Sequence, residues 1–263
     1  MNQEVIEQVF SRASVLADFT VDDFTITPLA GYTNQNFRLY NHQHDWVLRI
    51  PRAKTDRFID RDAEAHNQTL AYQLQIAPQA SWRDHEGITL TPTLSTSRAL
   101  CAVDFGNDTM LKIVVEPIQR LHRSGLSFRG RVNLRQLLSD HFALLSGSDQ
   151  QRLEPRLQQA ERVLKLLQTR DQAYVSSHND LVLDNLMFDN TRLWLIDWEY
   201  SAMASPYWDL ATLCNSANLD SPQSRRLLQI YCAESLVMEE SILFDYRELL
   251  QLLSDCWMAA LAD

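Results

Sequence analysis

The first hundred residues alternate between short apolar runs and polar turns, which predicts a strand-rich region. Apolar residues at helical spacing predict an opening helix over 4–17. Three runs rich in aromatic and β-branched residues predict strands at 24–28, 37–40 and 46–50. A second helix is predicted over 57–75. Residues 87–94 and 98–103 have the pattern of a hairpin.

The second half of the chain has a different pattern, dominated by helical stripes. Apolar residues recur at helical spacing over 134–145 and over 153–167. Short strands are expected only at 186–188 and 193–196, and helices occupy most of 205–260. This half is therefore predicted to be mainly helical.

The change of pattern near residue 105 predicts an α+β fold with two lobes. A chain of 263 residues is long enough for two lobes that each bury a core. We expect a strand-rich lobe over 1–105 and a larger, mainly helical lobe over 106–263. No apolar run reaches the roughly 20 residues that a membrane-spanning helix requires, and no export signal is visible.

The charge narrows the range of partners. The chain has 24 Lys and Arg against 34 Asp and Glu, a formal net charge of −10. This argues against nonspecific nucleic-acid binding, which depends on basic residues at phosphates. It is compatible with metal ions or a cationic small molecule. The four cysteines form no C-x-x-C pair, so reduced thiols in a cytoplasmic protein are expected.

The residues that carry chemistry lie between 178 and 197. His178, Asp180 and Asn185 have the form H-x-D-x₄-N, and Asp197 ends an apolar strand 12 residues after Asn185. Phosphoryl transfer from ATP needs a carboxylate beside the acceptor hydroxyl, and an amide oxygen and a second carboxylate that hold Mg²⁺. Asp180 fits the first role, and Asn185 and Asp197 fit the second. His178 is expected to brace the loop. Chance could place three such residues at these offsets, but the strand ending in Asp197 favours catalysis.

These motifs resemble the aminoglycoside phosphotransferase and choline/ethanolamine kinase superfamily, and the resemblance covers most of the chain. It implies a protein-kinase-like fold with a nucleotide-binding lobe followed by a catalytic and acceptor-binding lobe. It implies ATP and Mg²⁺ as cofactors, with Asp180 as the catalytic base and Asn185 and Asp197 as metal ligands. Asp209 resembles a recurring Asp of the superfamily that braces the catalytic loop.

The lysines bear on how ATP is held. Protein kinases contact the phosphates with a strand lysine that pairs with a helix Glu. None of the three lysines in this chain lies on a suitable strand. Arg49 does, and choline kinases resemble this chain in using Arg there. We therefore predict that Arg49 contacts phosphate and that Glu64 is its partner. The alternative is that Arg49 is an exposed strand residue and Glu64 a solvated helix residue.

The turn before the second strand resembles the choline-kinase form of the nucleotide loop. It begins at Gly31, and its backbone N–H groups and the side chains of Thr33, Asn34 and Gln35 are predicted to hold phosphates. If this turn did not stand in register with Arg49, a single glycine between two strands would indicate only a turn.

Trp198, Glu199 and Tyr200 directly follow Asp197 and predict where the acceptor binds. A quaternary ammonium is recognised by aromatic faces and a nearby carboxylate. The I-D-W-E-Y motif and the L-H-x-S segment at 121–126 resemble the choline/ethanolamine branch. Thiamine kinases have a similar first motif. Aminoglycoside kinases usually have D-x-G at this point, which disfavours an antibiotic acceptor.

We therefore predict a small-molecule kinase, monomeric or homodimeric, that transfers the γ-phosphate of Mg·ATP to a cationic alcohol. Choline or ethanolamine is the first choice, and thiamine or an aminoglycoside is the alternative. A catalytically silent nucleotide-binding regulatory protein is the alternative of another class; the intact Asp180, Asn185 and Asp197 argue against it. A protein kinase is disfavoured because no A-P-E-type ending follows Asp197.

Overall fold

The structure is a computed structural model that describes residues 3–31, 33–52, 59–171, 173–233 and 237–262. Among these residues there are eight α-helices and ten β-strands. The strands are β1 Thr25–Leu29, β2 Asn34–Tyr40, β3 Asp45–Pro51, β4 Trp82–Arg83, β5 Thr89–Pro92, β6 Arg98–Ala99, β7 Val175–Ser177, β8 Leu186–Phe188, β9 Leu193–Leu195 and β10 Ala202–Ala204. The helices are α1 Gln3–Arg12, α2 Arg61–Gln73, α3 Asp108–His122, α4 Leu134–Ala143, α5 Gly147–Arg170, α6 Pro206–Ser216, α7 Ser221–Cys232 and α8 Glu240–Ala262.

The smaller lobe is built on an antiparallel sheet with the strand order β1-β2-β3-β5-β4. Every second residue of β3 is buried, namely Trp46, Leu48 and Ile50, because successive side chains point to opposite faces of a sheet. Arg49 therefore lies on the other face. Helix α1 contributes Ile6 to the same apolar cluster as the buried residues of β3.

The larger lobe has its own apolar core, formed by helices α3 to α8 and two small sheets. Strands β6, β8 and β9 form one sheet, and β7 pairs with β10 in the other. Helix α6 packs against α8, and α3 packs against α7. The core also includes Ala71 of α2 and the following Ile76 and Ala77. The turns that follow β7 and β9 lie side by side and carry residues 178–185 and 196–201.

The two-lobed α+β architecture predicted from the pattern is confirmed. All five strands predicted individually are present, as β1, β2, β3, β8 and β9. The second helix begins at Arg61 because the side chain of Asp60 caps it, accepting a hydrogen bond from Ala63 N. The predicted residues 57 and 58 lie outside the described residues. In the described part of the chain, no helix is long and apolar enough to cross a membrane.

The predicted hairpin between 87–94 and 98–103 was wrong. Strand β5 pairs with β3 and β4, whereas β6 pairs with β8 in the larger lobe. A strand of two residues such as β6 has too little alternation to identify its partner.

Several further elements were missed or misplaced. Strands β7 and β10 have three residues each and were not predicted. Helix α3 was also missed, since Pro117 lies inside it and interrupts the helical signal. The opening helix ends at Arg12 rather than at residue 17, and Ser14–Leu16 forms a 3₁₀ turn.

Candidate active site

The loop that carries Asp180 follows β7 and is held from inside by His178. The His178 side chain is fully buried, and its Nε2 lies 2.9 Å from Ile196 O. Its Nδ1 accepts a hydrogen bond from Asp180 N at 3.3 Å. These partners require the neutral ring, and burial lowers the pKa of His178, which favours the same form. The contacts support the prediction that His178 braces the loop.

Asp209 holds the same loop from the other side, as the resemblance implied. Its carboxylate accepts hydrogen bonds from His178 N at 2.9 Å and Asn179 N at 2.7 Å, and lies 2.9 Å from His122 Nε2. Burial alone would raise the pKa of Asp209, but the hydrogen bond with His122 and the other partners lower it overall. Asp209 therefore stays charged. The other nitrogen of His122 contacts the hydroxyl of Tyr231 at 2.8 Å.

Two residues of the site have a left-handed backbone. Asn179 has φ of 66° and Asp197 has φ of 63°, in a region that costs energy for residues other than glycine. The Asn179 conformation is stabilised by its N–H bond to Asp209 and by the hydrogen bond from its side-chain amide to Tyr200 O, at 2.9 Å. These hydrogen bonds thus fix the backbone directly before Asp180.

The structure brings Asp180, Asn185 and Asp197 together. The Asn185 amide nitrogen donates to Asp180 O at 2.9 Å and to Asp180 Oδ2 at 3.0 Å. In this orientation the amide oxygen of Asn185 does not face Asp180 and could accept a cation. Asn185 O accepts a hydrogen bond from Ile196 N at 3.0 Å, which places Asp197 beside Asn185.

The charges at this point favour a cation. Burial, together with the nearby carboxylates of Asp197 and Glu199, raises the pKa of Asp180 to about 8. Burial also raises the pKa of Asp197, although Arg49 acts in the opposite direction. The neighbouring carboxylates of Asp180, Asp197 and Glu199 repel one another, and a cation would relieve this repulsion.

The donor set fits Mg²⁺, which prefers carboxylate and amide oxygens together with phosphate oxygens. Asn185 and Asp197 would hold it. In the residues that the structure describes, no group of three or more His, Cys, Asp or Glu side chains forms a metal site. A magnesium ion held by Asn185 and Asp197 would take its remaining ligands from phosphate oxygens and water.

Arg49 reaches from β3 of the smaller lobe to Asp197 of the larger one. Its Nη1 donates to Asp197 Oδ1 at 2.8 Å, and its Nη2 forms an ion pair with Glu64 of α2. Burial alone would raise the pKa of Glu64, but the surrounding arginines lower it, so that Glu64 is charged. The predicted Arg49–Glu64 pair is present, and both side chains are largely buried.

Two further arginines surround Glu64, and sequence reasoning missed both. Arg61 Nη1 lies 2.7 Å from Glu64 Oε2, and Arg83 Nη1 lies 3.4 Å from Glu64 Oε1. The spacing of Arg61 and Glu64, three apart on one helix, was a usable signal. Arg83 comes from β4 and had no local signal. Gly87 leaves room for Arg61, because a Cβ at Gly87 would lie 2.5 Å from Arg61 Cδ.

The predicted nucleotide loop forms the turn between β1 and β2. Asn34 is buried, and its amide nitrogen donates to Thr33 Oγ1 and to Glu199 Oε2, both at 3.1 Å. Gly31 lies in a tight turn, where a Cβ would be 2.7 Å from Asn34 O. Gln35 is half-buried on β2. Tyr32 is outside the described residues.

The structure changes the interpretation of two of the three predicted acceptor contacts. Trp198 is only 1% exposed; its ring lies 4.5 Å from the His178 ring, and its Nε1 donates to Leu195 O at 3.0 Å. It is a core residue. The Glu199 carboxylate turns toward the smaller lobe, where it contacts Asn34. These contacts do not support the prediction that Trp198 and Glu199 touch the acceptor.

Tyr200 remains at the predicted place. Its side chain is half-buried. Burial raises its pKa, and the neighbouring carboxylates of Glu199, Asp180 and Asp197 raise it further. The phenol thus lies close to the carboxylates of the site and stays neutral.

The family follows from comparison with known proteins. Residues 25–252 match the model of the "Phosphotransferase enzyme family". The chain belongs to this family. The family resemblance predicted from the motifs is thereby confirmed.

Two curated relatives are named Protein LicA, both from Haemophilus influenzae. One is 31% identical over 211 residues, and the match covers 79% of this chain and 62% of that protein. The other, from strain Rd, is 32% identical over 212 residues, and the match covers 77% of this chain and 78% of that protein. The chain thus spans less than two thirds of the first relative.

Solved structures share the whole architecture. Choline kinase LicA from Streptococcus pneumoniae has a TM-score of 0.87 at 22% identity, covering 99% of this chain and 90% of that one. A structure of LicA in complex with AMP has a TM-score of 0.82 at 22% identity, covering 98% and 89%. At this identity the likeness establishes the fold.

Proposed function

We propose that the protein is an ATP-dependent small-molecule kinase that phosphorylates the hydroxyl of a cationic alcohol, with choline as the first candidate and ethanolamine as the second. One observation carries the proposal. Asp180, Asn185 and Asp197 lie together, and Arg49 of the other lobe, paired with Glu64, contacts Asp197. The family membership and the likeness to a choline kinase support it.

The proposal gives a role to each of the site's side chains in the larger lobe. Asn185 donates to Oδ2 of Asp180, so that Oδ1 is the oxygen that would orient the acceptor hydroxyl and take its proton. Mg²⁺, held by Asn185 and Asp197, would neutralise charge on the phosphates. His178 and Asp209 keep the backbone of Asp180 in place.

The smaller lobe would bind the nucleotide. Arg49 offers a charged guanidinium beside Asp197, and Glu64 fixes its orientation. The turn at Gly31, with Thr33, Asn34 and Gln35, offers backbone N–H groups and polar side chains. A related structure contains AMP, which supports a nucleotide site in this fold.

The acceptor would lie against Asp180 and Tyr200. The carboxylates of this region favour a cation, and an aromatic ring face attracts a quaternary ammonium. Tyr200 is the one residue of the predicted acceptor set whose ring remains half-buried rather than enclosed.

The experiment is ADP release with Mg·ATP, measured in parallel with choline, ethanolamine, thiamine and an aminoglycoside. Strong stimulation by choline or ethanolamine is expected. Asp180→Asn should lower kcat by about a thousandfold, because it removes the proton acceptor. Asp184→Asn is the matched control, since Asp184 is exposed in the same loop. Retained turnover in the Asp180 variant would contradict the assignment. Nucleotide binding without turnover for any acceptor would favour a silent binding protein.

A further inference from the structure

In the sequence, helix α2 lies between β3 and β4 of the smaller lobe, yet it packs with the larger lobe. Ala71 of α2 belongs to the apolar core that contains Leu121 and Leu195. The apolar cluster of the sheet takes no residue from the described part of α2. The backbone continues this attachment just after α2, because Leu195 N donates to Ile76 O at 2.8 Å.

Asn67 makes the polar part of this attachment. Its side chain is fully buried, and its amide nitrogen donates to Ser201 O at 2.9 Å and to Arg129 O at 3.1 Å. Its Oδ1 accepts a hydrogen bond from Arg129 N at 2.8 Å. One side chain of α2 thus joins two separate segments of the larger lobe. One of them, at Ser201, directly follows Tyr200.

Asn67 also lies on the same helix face as Glu64. Residues three apart on a helix are neighbours, so the position of one constrains the other. Glu64 in turn pairs with Arg49, whose other nitrogen contacts Asp197. A continuous set of contacts therefore runs from Asn67 through Glu64 and Arg49 to a proposed metal ligand.

We infer that Asn67 is a positioning residue for phosphoryl transfer. It fixes α2 to the larger lobe, and thereby fixes Glu64, which holds Arg49 beside Asp197. This inference rests on the proposed function. In protein kinases the equivalent pair of a basic strand residue and a helix Glu must be in place for activity. Here a buried amide on the same helix would keep it there.

The first test compares Asn67→Ala with Gln119→Ala. Gln119 is a matched control, because its amide nitrogen also donates to two backbone carbonyls, of Ile230 at 3.2 Å and Tyr231 at 2.7 Å. Those contacts join α3 and α7 within the larger lobe. Both variants should lower Tm. Only Asn67→Ala should lower kcat/KM for ATP, by about tenfold, because it alone releases Glu64. Equal losses in the two variants would overturn the inference.

The second test asks whether Asn67 acts through Glu64. A double-mutant cycle compares Asn67→Ala, Glu64→Gln and the combined variant by kcat/KM for ATP. The combined variant should be no worse than Glu64→Gln alone, within about twofold, because the residues share one effect. Losses that multiply would overturn the inference. If Asn67→Ala does not fold, Asn67→Ser takes its place in both tests.

A ligand-free measurement separates this inference from the proposed function. Hydrogen exchange of the peptides that cover Arg61–Gln73 should speed up in the Asn67 variant and stay unchanged in the Gln119 variant. Unchanged exchange in both would overturn the inference even if the wild type is an active kinase. A wild type that binds no Mg·ATP in calorimetry would instead contradict the proposed function.

Discussion

The two halves of the candidate site are held in different ways. On the larger lobe, Asp180 is fixed by hydrogen bonds between fully buried groups, through His178 and Asp209. On the smaller lobe, Arg49 is fixed by ion pairs to Glu64 and to Asp197 across the lobes. The first half depends on exact hydrogen-bond geometry, and the second on charge. Substitutions in the two halves should therefore have different effects on stability and activity.

Asp209→Asn should give the largest effect, since it damages the hydrogen-bonded half. The substitution replaces one carboxylate oxygen by an NH₂ group that faces another donor. We expect a loss of about 3 kcal/mol in the free energy of unfolding and about a hundredfold in kcat. Chemical denaturation measures the free energy of unfolding, and a turnover assay measures kcat. Asp189→Asn is the control, because Asp189 also accepts backbone N–H bonds but lies in a surface turn. Equal effects of the Asp209 and Asp189 substitutions would contradict the role of Asp209 in holding the loop that carries Asp180.

Arg49→Lys tests the half held by charge. A lysine keeps the charge but cannot contact Glu64 and Asp197 at the same time. We expect kcat/KM for ATP to fall by about thirtyfold, with little change in Tm. Arg38→Lys is the control, because Arg38 pairs with Asp45 at 2.8 and 2.6 Å on the surface of the same sheet. A loss of stability without a loss of activity would contradict the role of Arg49.

Glu199→Gln distinguishes the predicted role of Glu199 from the observed one. Glu199 Oε2 lies 3.1 Å from Asn34 Nδ2, 3.5 Å from Arg61 and 3.8 Å from Arg49. We therefore expect the KM for ATP to rise about tenfold while the KM for the acceptor changes little. A rise confined to the acceptor KM would restore the original prediction that Glu199 binds the acceptor.

Trp198→Phe should give the smallest effect. The ring stays in the core, but the hydrogen bond from Nε1 to Leu195 O is lost. The free energy of unfolding should fall by about 1 kcal/mol, and the acceptor KM should not change. Trp194→Phe removes a similar bond to Asp189 at the surface and serves as control. A large rise in the acceptor KM would show that Trp198 contacts the acceptor after all.

The same contrast explains how far the sequence could predict the molecule. Asp180 and Asn185 lie five residues apart, and this spacing together with the strand that ends at Asp197 indicated a shared site. Arg49 and Glu64 were identified from a resemblance, and the structure brings them together. Arg83 escaped notice because it reaches Glu64 from a two-residue strand, whose position depends on the whole sheet.

The orientation of the side chains after Asp197 was the least predictable part. The left-handed backbone at Asp197 turns the chain, so that Trp198 enters the core and Glu199 faces the other lobe. Spacing along the chain places these residues near the phosphates but does not give the direction of each side chain. Similarly, β6 and the short pair of β7 and β10 were mispredicted because tertiary pairing, rather than local alternation, determines them.

Whether the protein is a choline kinase is tested by identifying the product with mass spectrometry after incubation with Mg·ATP and choline. We expect choline phosphate and an equal amount of ADP, and neither above background in the Asp180→Asn variant. Release of inorganic phosphate alone, at a rate that does not depend on the acceptor or on Asp180, would contradict it.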